Sequence, residues 1–240
     1  MKKLSVLLVA VLIVSMLPAA ALAQETPADL GADERLIEKL KDRAEHAIDK
    51  RLETIERATE ALGDAQHLTD EHERILLSEF AAASEGLTAL GREIESAETI
   101  AELRELIPSI FEDYRIYVVA VPKAHLVAVA DTIVAAVDRL ELVAGSLQDT
   151  VNRLKEAGFD TSEAEVVLGE MRSFLGEASA SAGPVPDAVL PLAPGDWPDP
   201  AKGILQGAHS DVRNARGHVS SAVRSAHEIA RILRDLLREG

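Results

Sequence analysis

Apolar residues recur at gaps of four and three along the middle of this chain, and this pattern constrains its fold more than any other feature. The series runs without a slip through Leu126, Ala130, Ile133, Val137, Leu140, Ala144, Leu147, Val151 and Leu154. Such spacing places every member on one face of a helix that packs against other helices. We predict that Ile133 and Leu140 are fully buried between at least two neighbouring helices.

The faces beside this series are also apolar in its first half, at Val127, Val129, Val134 and Ala136. Only a narrow strip is polar, and it consists of Asp131, Thr132, Asp138 and Arg139. A helix that is apolar on three sides needs neighbours on more than one side, so we expect this helix to be the central one. Gly158 is a suitable residue to end it.

Four other stretches carry the same spacing and are predicted to be helices, at residues 32–62, 70–97, 161–182 and 201–239. Thr69 is a candidate N-cap for the second, and Thr161 or Ser162 for the third. A Thr99-x-x-Glu102 capping box opens a short additional helix. We therefore predict an all-α fold, an elongated antiparallel bundle of four to five long amphipathic helices with coiled-coil-like packing, in which residues 24–240 form a single domain.

Two segments fit the helical pattern less well. Residues 116–121 are rich in β-branched side chains, which suits a strand, but no second strand exists to pair with it, so we predict a helix. Residues 183–200 hold six of the ten prolines and are predicted to be a non-helical loop, called here the proline loop. Its apolar residues indicate that it packs along the bundle, with Trp197 covering apolar side chains near one end and Asp199 close to the last helix. The proline loop is either a rigid connection or a partner-binding surface centred on Trp197.

Residues 1–23 have the pattern of a secretory signal peptide. Two lysines precede an apolar run from Leu4 to Leu17, and Ala21-Leu22-Ala23 supplies a small-x-small cleavage site. A retained membrane anchor is the alternative, but the run is short for a membrane span. We expect a secreted or periplasmic protein with no integral membrane segment after cleavage. The absence of cysteine excludes disulfides and thiolate metal sites.

Charge is distributed unevenly along the chain. The net charge of −16 argues against general nucleic-acid binding. Residues 200–240 nevertheless carry seven Lys or Arg against four Asp or Glu. The arginines there could bind an anionic surface, but we expect them to pair with the acidic body of the protein. They are Arg213, Arg216, Arg224, Arg231, Arg234 and Arg238.

No motif of a nucleophilic enzyme or of a phosphate-binding loop is present, so we predict a protein that is not an enzyme and needs no cofactor. His72-Glu73 and His227-Glu228 lack the second histidine of a zinc-protease helix, because Leu76 and Arg231 follow four residues after each histidine. His67 and His72 are metal candidates, although solvated histidines are the simpler interpretation. We therefore predict no metal site.

Three of the seven aromatic residues, Phe111, Tyr114 and Tyr117, lie within seven positions. Their spacing of three predicts a shared helical face, which is either a patch for a ligand or partner or an aromatic plug at one end of the bundle. The run from Phe111 to Tyr117, followed by Val121-Pro122-Lys123 and Ala130-Asp131, resembles exported helical bacterial proteins described only as hypothetical. This resemblance covers about residues 105–240 and implies an all-α exported protein, without implying an activity or a site.

These features together predict an exported, non-enzymatic helical bundle that acts through protein–protein contacts at the cell envelope or outside the cell. The partner is an unknown protein, and an oligomer is possible. The candidate partner-binding residues are Trp197, Tyr114, Tyr117 and Phe111. A periplasmic chaperone or stress adaptor is the alternative, followed by a metal-binding protein.

Overall fold

The computed structural model describes residues 27–239, so the predicted signal peptide lies outside the described residues. The structure is 86% helical, with no strand in residues 27–239, and the predicted all-α bundle is confirmed. The elements are α1 (Pro27–Gly63), α2 (Asp70–Ser96), α3 (Ile100–Leu106), α4 (Ser109–Glu112), a π-helical turn (Ile116–Ala120), α5 (Val121–Glu156), α6 (Ser162–Ala182), α7 (Val185–Val189), a 3-10 turn (Pro194–Asp196) and α8 (Ala201–Glu239).

Helices α5, α6 and α8 form a three-helix bundle. α6 runs antiparallel to α5, because Lys155 contacts Glu165 at 2.7 Å while Arg172 donates to Gln148, further from the α5–α6 turn, at 3.0 Å. α8 then returns along α6 in the opposite direction. Helices α5 and α8 are therefore parallel, and both begin at the same end of the bundle.

Helices α1 and α2 form an antiparallel hairpin against the first half of α5. α2 runs antiparallel to α5, because His72 meets Asp131 whereas Glu79 meets Lys123. The hairpin turn at residues 64–69 is therefore level with Asp131, and the second half of α5 extends beyond the hairpin.

This arrangement corrects one prediction about the central helix. Ile133 lies beside the hairpin and is buried as predicted, with 5% of its surface exposed. Leu140 lies beyond the hairpin and is only partly buried, so the prediction that it is fully buried is wrong. Leu142, with 75% of its surface exposed, has no helix over it for the same reason.

Most helix ends follow their sequence signals. The Thr69 hydroxyl accepts a hydrogen bond from the His72 N–H at 3.3 Å, and Thr99 and Glu102 form the predicted capping box. Gly158 follows α5 with a φ of +91°, a left-handed conformation that glycine adopts without strain. At α6, Thr161 occupies the N-cap position, one of the two predicted. Its side chain makes no capping hydrogen bond, and the Asp160 carboxylate instead accepts from the Ser162 N–H at 3.1 Å.

The proline loop is more helical than predicted. It contains α7 and the 3-10 turn, because Pro184 and Pro186 lie at the start of α7, where the missing N–H groups are not needed. Val189 and Leu192 are buried, so the loop packs along the bundle as predicted. Trp197 is half-buried against apolar side chains of the core.

One helical stretch of the described chain, within residues 100–156, is long and apolar enough to cross a membrane, with a mean hydropathy of 1.6. Most of this stretch is α5, which contacts α1, α6, α7 and α8. The core helix of a soluble bundle meets the same two criteria, so the stretch is only weak evidence for a membrane span.

Candidate functional site

The helical backbone is interrupted between α4 and α5, and three of the four candidate residues, Phe111, Tyr114 and Tyr117, lie around this break. Arg115 has a φ of +44°, which is left-handed and costly for a residue with a side chain. The π-helical turn follows, and its Ile116 and Val119 are buried. The prediction of a helix rather than a strand is confirmed here, although the π-helical form was not predicted. π-helical insertions into α-helices are frequent at functional sites.

The break separates the three aromatic residues, so the prediction of one shared face is wrong. Phe111 and Tyr117 lie against Arg51 of α1, whereas Tyr114 points towards α2. A Cβ atom at Gly86 of α2 would lie 2.5 Å from the Tyr114 hydroxyl oxygen. Burial raises the pKa of Tyr114, and the nearby carboxylates of Asp113 and Glu93 add to this shift.

Arg51 lies between two partly exposed rings. Its guanidinium carbon is 4.4 Å from the centre of the Phe111 ring and 5.2 Å from that of Tyr117. One guanidinium N–H donates to the Ala47 carbonyl at 2.8 Å, and the Tyr117 hydroxyl donates to the Lys50 carbonyl at 3.2 Å. Burial lowers the pKa of Arg51, and the rings offset part of the cost of burying its charge. These contacts attach the π-helical turn to α1, which is a structural role.

Lys123 is a buried residue that the sequence analysis missed. Only 3% of its surface is exposed. Its ammonium group contacts Glu79 of α2 at 2.6 Å and donates to the carbonyls of Leu190 and Leu192 at 3.3 and 2.9 Å. All three N–H donors therefore have partners, and the proline loop is fixed to α2 and α5. Lys123 is the only Lys, Arg, Asp or Glu between residues 116 and 130, a signal that could have identified it.

Asp131 is buried rather than on a polar surface strip. Its Oδ2 accepts hydrogen bonds from the Thr69 N–H at 2.9 Å and from the His72 ring at 2.8 Å. This pairing engages one nitrogen of His72, which weakens the metal hypothesis for His67 and His72. Across residues 27–239 no group of three or more His, Asp or Glu side chains is arranged to hold a metal ion.

Among the ion pairs of the described residues, none joins an arginine of α8 to another helix, which corrects another prediction. Arg231 contacts Asp235 of the same helix at 3.3 Å, and Arg224 donates to Ser221, also on α8. α8 packs on α5 and α6 through its apolar face, and its six arginines are exposed. The basic face of α8 is therefore open to solvent.

A groove of about 510 Å³ runs between the starts of the parallel helices α5 and α8, and Trp197 lines one end. We call it the Trp197 groove. Its apolar lining consists of Val118, Pro122, Leu126, Trp197 and Leu205. Its polar lining consists of His125, Lys202, Gln206, His209, Ser210 and Arg213. The groove therefore combines an apolar surface with several cationic or titratable nitrogen groups and no carboxylate.

Tyr114 lines a different cleft, of about 380 Å³, beside Lys123 and the proline loop. A third cleft, of about 490 Å³, lies between α1 and α2 and has mixed charge, with Lys41 and Arg92 beside Glu45 and Asp49. Of the four candidate residues, only Trp197 lines a groove whose polar side chains include lysine, arginine and histidine but no carboxylate.

No family model, no curated protein and no solved structure matches this chain. The resemblance to exported helical proteins therefore stays a prediction.

Proposed function

We propose that this protein is an exported, non-enzymatic helical bundle that acts by binding a protein partner in the Trp197 groove. The observation that supports the proposal is the groove itself, in which a half-buried tryptophan adjoins an apolar surface with a polar rim. Tryptophan is among the residues that most often dominate the energy of a protein interface. The pattern of residues 1–23 supports export to the periplasm or the medium.

The proline loop supports this proposal because it holds Trp197 in place before any partner binds. Lys123 fixes the loop at Leu190 and Leu192, and the π-helical turn contacts the 3-10 turn that precedes Trp197. A surface that is already ordered loses less conformational entropy on binding, which favours affinity.

A general chaperone for unfolded proteins is the competing role. Such a protein needs a broad apolar surface, whereas the apolar lining of the Trp197 groove is limited to five residues and has a polar rim. Suppression of the aggregation of a model client protein by the purified protein would favour the chaperone role.

The test is capture of a partner from the envelope fraction by the mature protein and by two variants. Trp197→Ala should retain its helicity and lose the partner. Leu142→Ala removes an apolar side chain that is 75% exposed and far from the groove, so it should capture the partner as the wild type does. Equal capture by the wild type and Trp197→Ala would refute the proposed site. In that case Phe111→Ala and Tyr117→Ala test the aromatic pair beside Arg51.

A further inference from the structure

We infer that the Trp197 groove recognises an acidic, extended peptide segment of its partner, about five residues long, with one apolar side chain that contacts Trp197. This inference rests on the proposed protein-binding function and adds the chemistry of the partner. It is supported by the charge of the groove, by its length and by its apolar end.

The charge of the groove is opposite to that of the chain. Asp and Glu outnumber Lys and Arg by 41 to 25 in the sequence, yet no carboxylate lines the groove. Of the acidic residues nearby in sequence, Asp199 does not line it, and Asp211 lines a depression on the other side of α8. A cationic groove in an acidic protein attracts acidic segments, while the rest of the acidic surface repels them.

The nitrogen groups of the groove are available to a partner. His125, Lys202, His209 and Arg213 are exposed, and among the ion pairs of the described residues none involves these four side chains. A carboxylate that binds there therefore displaces no internal ion pair. The favourable free energy of binding is therefore not reduced by the loss of an existing ion pair.

The spacing of these groups sets the length of the segment. Lys202, Gln206, His209 and Arg213 follow one another at gaps of four, three and four, so they form a row on one face of α8. Eleven residues of helix separate Lys202 from Arg213, which is about 16 Å at 1.5 Å per residue. An extended chain covers that distance with about five residues.

Trp197 marks the end of this row. The start of α8 at Ala201 places Lys202 near Trp197, while Val118, Pro122 and Leu126 supply the opposite apolar wall. One apolar side chain of the segment can therefore contact the tryptophan while its carboxylates lie along α8. A flat anionic membrane cannot enter a groove between two helices, so the geometry favours a peptide segment.

The probes are the fluorescein-labelled peptides Leu-Glu-Glu-Glu-Glu and Glu-Glu-Glu-Glu-Leu, because Trp197 lies at one end of the row on α8. Their binding is measured by fluorescence anisotropy. We expect binding that weakens as salt is raised, because exposed charges are screened. The same two peptides with Lys in place of every Glu should not bind. The same two peptides with Gly in place of Leu should bind more weakly because they lack the apolar side chain. Equal binding of the acidic and basic peptides would overturn the inference.

Charge reversal in the groove supplies the matched variants. Lys202→Glu combined with Arg213→Glu should weaken binding by about tenfold, because two attractions between exposed charges become repulsions. Arg224→Glu combined with Arg234→Glu makes the same charge change on exposed residues of α8 outside the groove and should leave the affinity unchanged. Equal losses in the two double variants would show a general effect of charge and overturn the inference.

Two competitors test other ligands. Displacement of the peptide by phosphatidylglycerol vesicles, lost in the groove double variant, would assign the surface to a membrane. Displacement by free glutamate at low millimolar concentration would assign it to small carboxylates. Either result would overturn the inference.

The two proposals can fail separately. If the envelope partner is lost by Trp197→Ala but retained by the groove double variant, the acidic segment is refuted and the protein-binding function stands. If the acidic peptide binds as expected but the wild type captures no protein, the protein-binding function is refuted instead.

Discussion

Lys123 connects three parts of the molecule through one side chain. It belongs to α5, contacts Glu79 of α2 and donates to two carbonyls of the proline loop. An ammonium group is costly to bury, and this cost is offset only while all its donors have partners. The position of the proline loop, and with it that of Trp197, therefore depends on this residue.

Lys123→Met tests this dependence. The variant keeps much of the side-chain volume but leaves two carbonyls and Glu79 without their donor, so the free energy of unfolding should fall by about 1–3 kcal/mol. Lys155→Met is the matched control, since Lys155 also pairs with a glutamate but is 62% exposed. It should cost less than about 1 kcal/mol. Urea denaturation measures both values, and similar values for the two variants would contradict the role of Lys123.

At the scale of the elements, the sequence predicted the structural features that depend on residues close together in the chain. The Thr69 cap, the Thr99 and Glu102 capping box and the end of α5 all depend on residues within four positions of each other. What could not be predicted depends on distant partners. Lys123 and Leu192 are 69 positions apart, and Asp131 and His72 are 59 positions apart.

The candidate site was predicted only in part, for the same reason. The packing of Trp197 was inferred from the apolar composition of the proline loop. The separation of Phe111 and Tyr117 from Tyr114 could not be inferred in the same way. Their spacing suits a regular helix, whereas Arg115 adopts a left-handed conformation that interrupts it. The Trp197 groove is formed by residues of α5, the proline loop and α8, and no local pattern brings these together.

The central position of the first half of α5 can be tested with two truncations on the same helix. Ile133→Ala should cost about 2–5 kcal/mol, because Ile133 is buried beside the hairpin. Leu142→Ala removes an exposed side chain of α5 and should change the stability by less than about 0.5 kcal/mol. Chemical denaturation measures the free energy of unfolding of both variants. A cost below about 0.5 kcal/mol for Ile133→Ala would refute the central position of the first half of α5.

The capping box of α3 predicts a dependence on pH. Hydrogen bonds from the backbone N–H groups of Glu98 and Thr99 hold the pKa of Glu102 below its usual value of 4.5. Because the pKa is lower in the folded state, this stabilisation is fully present above pH 4.5 and is lost as the pH falls through the folded-state pKa. Glu102→Ala should therefore lower the melting temperature more at pH 7 than at pH 3.

The control for this measurement is Glu105→Ala, which removes another exposed glutamate of α3 outside the capping box. Its effect on the melting temperature should not show the same loss between pH 7 and pH 3. An equal pH dependence for the two variants would mean that the general charge of the protein, and not the capping box, is responsible.

At the scale of the whole molecule, residues 27–239 form a three-helix bundle of α5, α6 and α8 with the α1–α2 hairpin laid against the first half of α5. The helices α1 and α8, of 37 and 39 residues, are about 55–60 Å long, so the bundle is elongated as predicted. The start of α8 forms one wall of the Trp197 groove, and its apolar face completes the core with α5 and α6. The same helix thus supports both the fold and the proposed binding surface.

Truncation after Gly203 tests whether α8 is part of the fold or a separate arm. Five large apolar side chains of α8 are buried, and they are Leu205, Val212, Ile229, Ile232 and Leu233. Each contributes about 1.5–3 kcal/mol when buried, and together they are comparable to a net stability of about 5–15 kcal/mol.

The truncated protein should therefore unfold or aggregate, as circular dichroism and size-exclusion chromatography would show. The loss of α8 would uncover the faces of α5 and α6 on which it packs. Truncation after Leu236 is the control, because it removes only the last four residues, among them Leu237, which is 61% exposed. This shorter deletion should leave the elution volume and the helical signal close to those of the intact protein. If truncation after Gly203 also leaves a stable, helical monomer, then α8 is not needed for the fold, and its basic face belongs to an arm that binds partners independently.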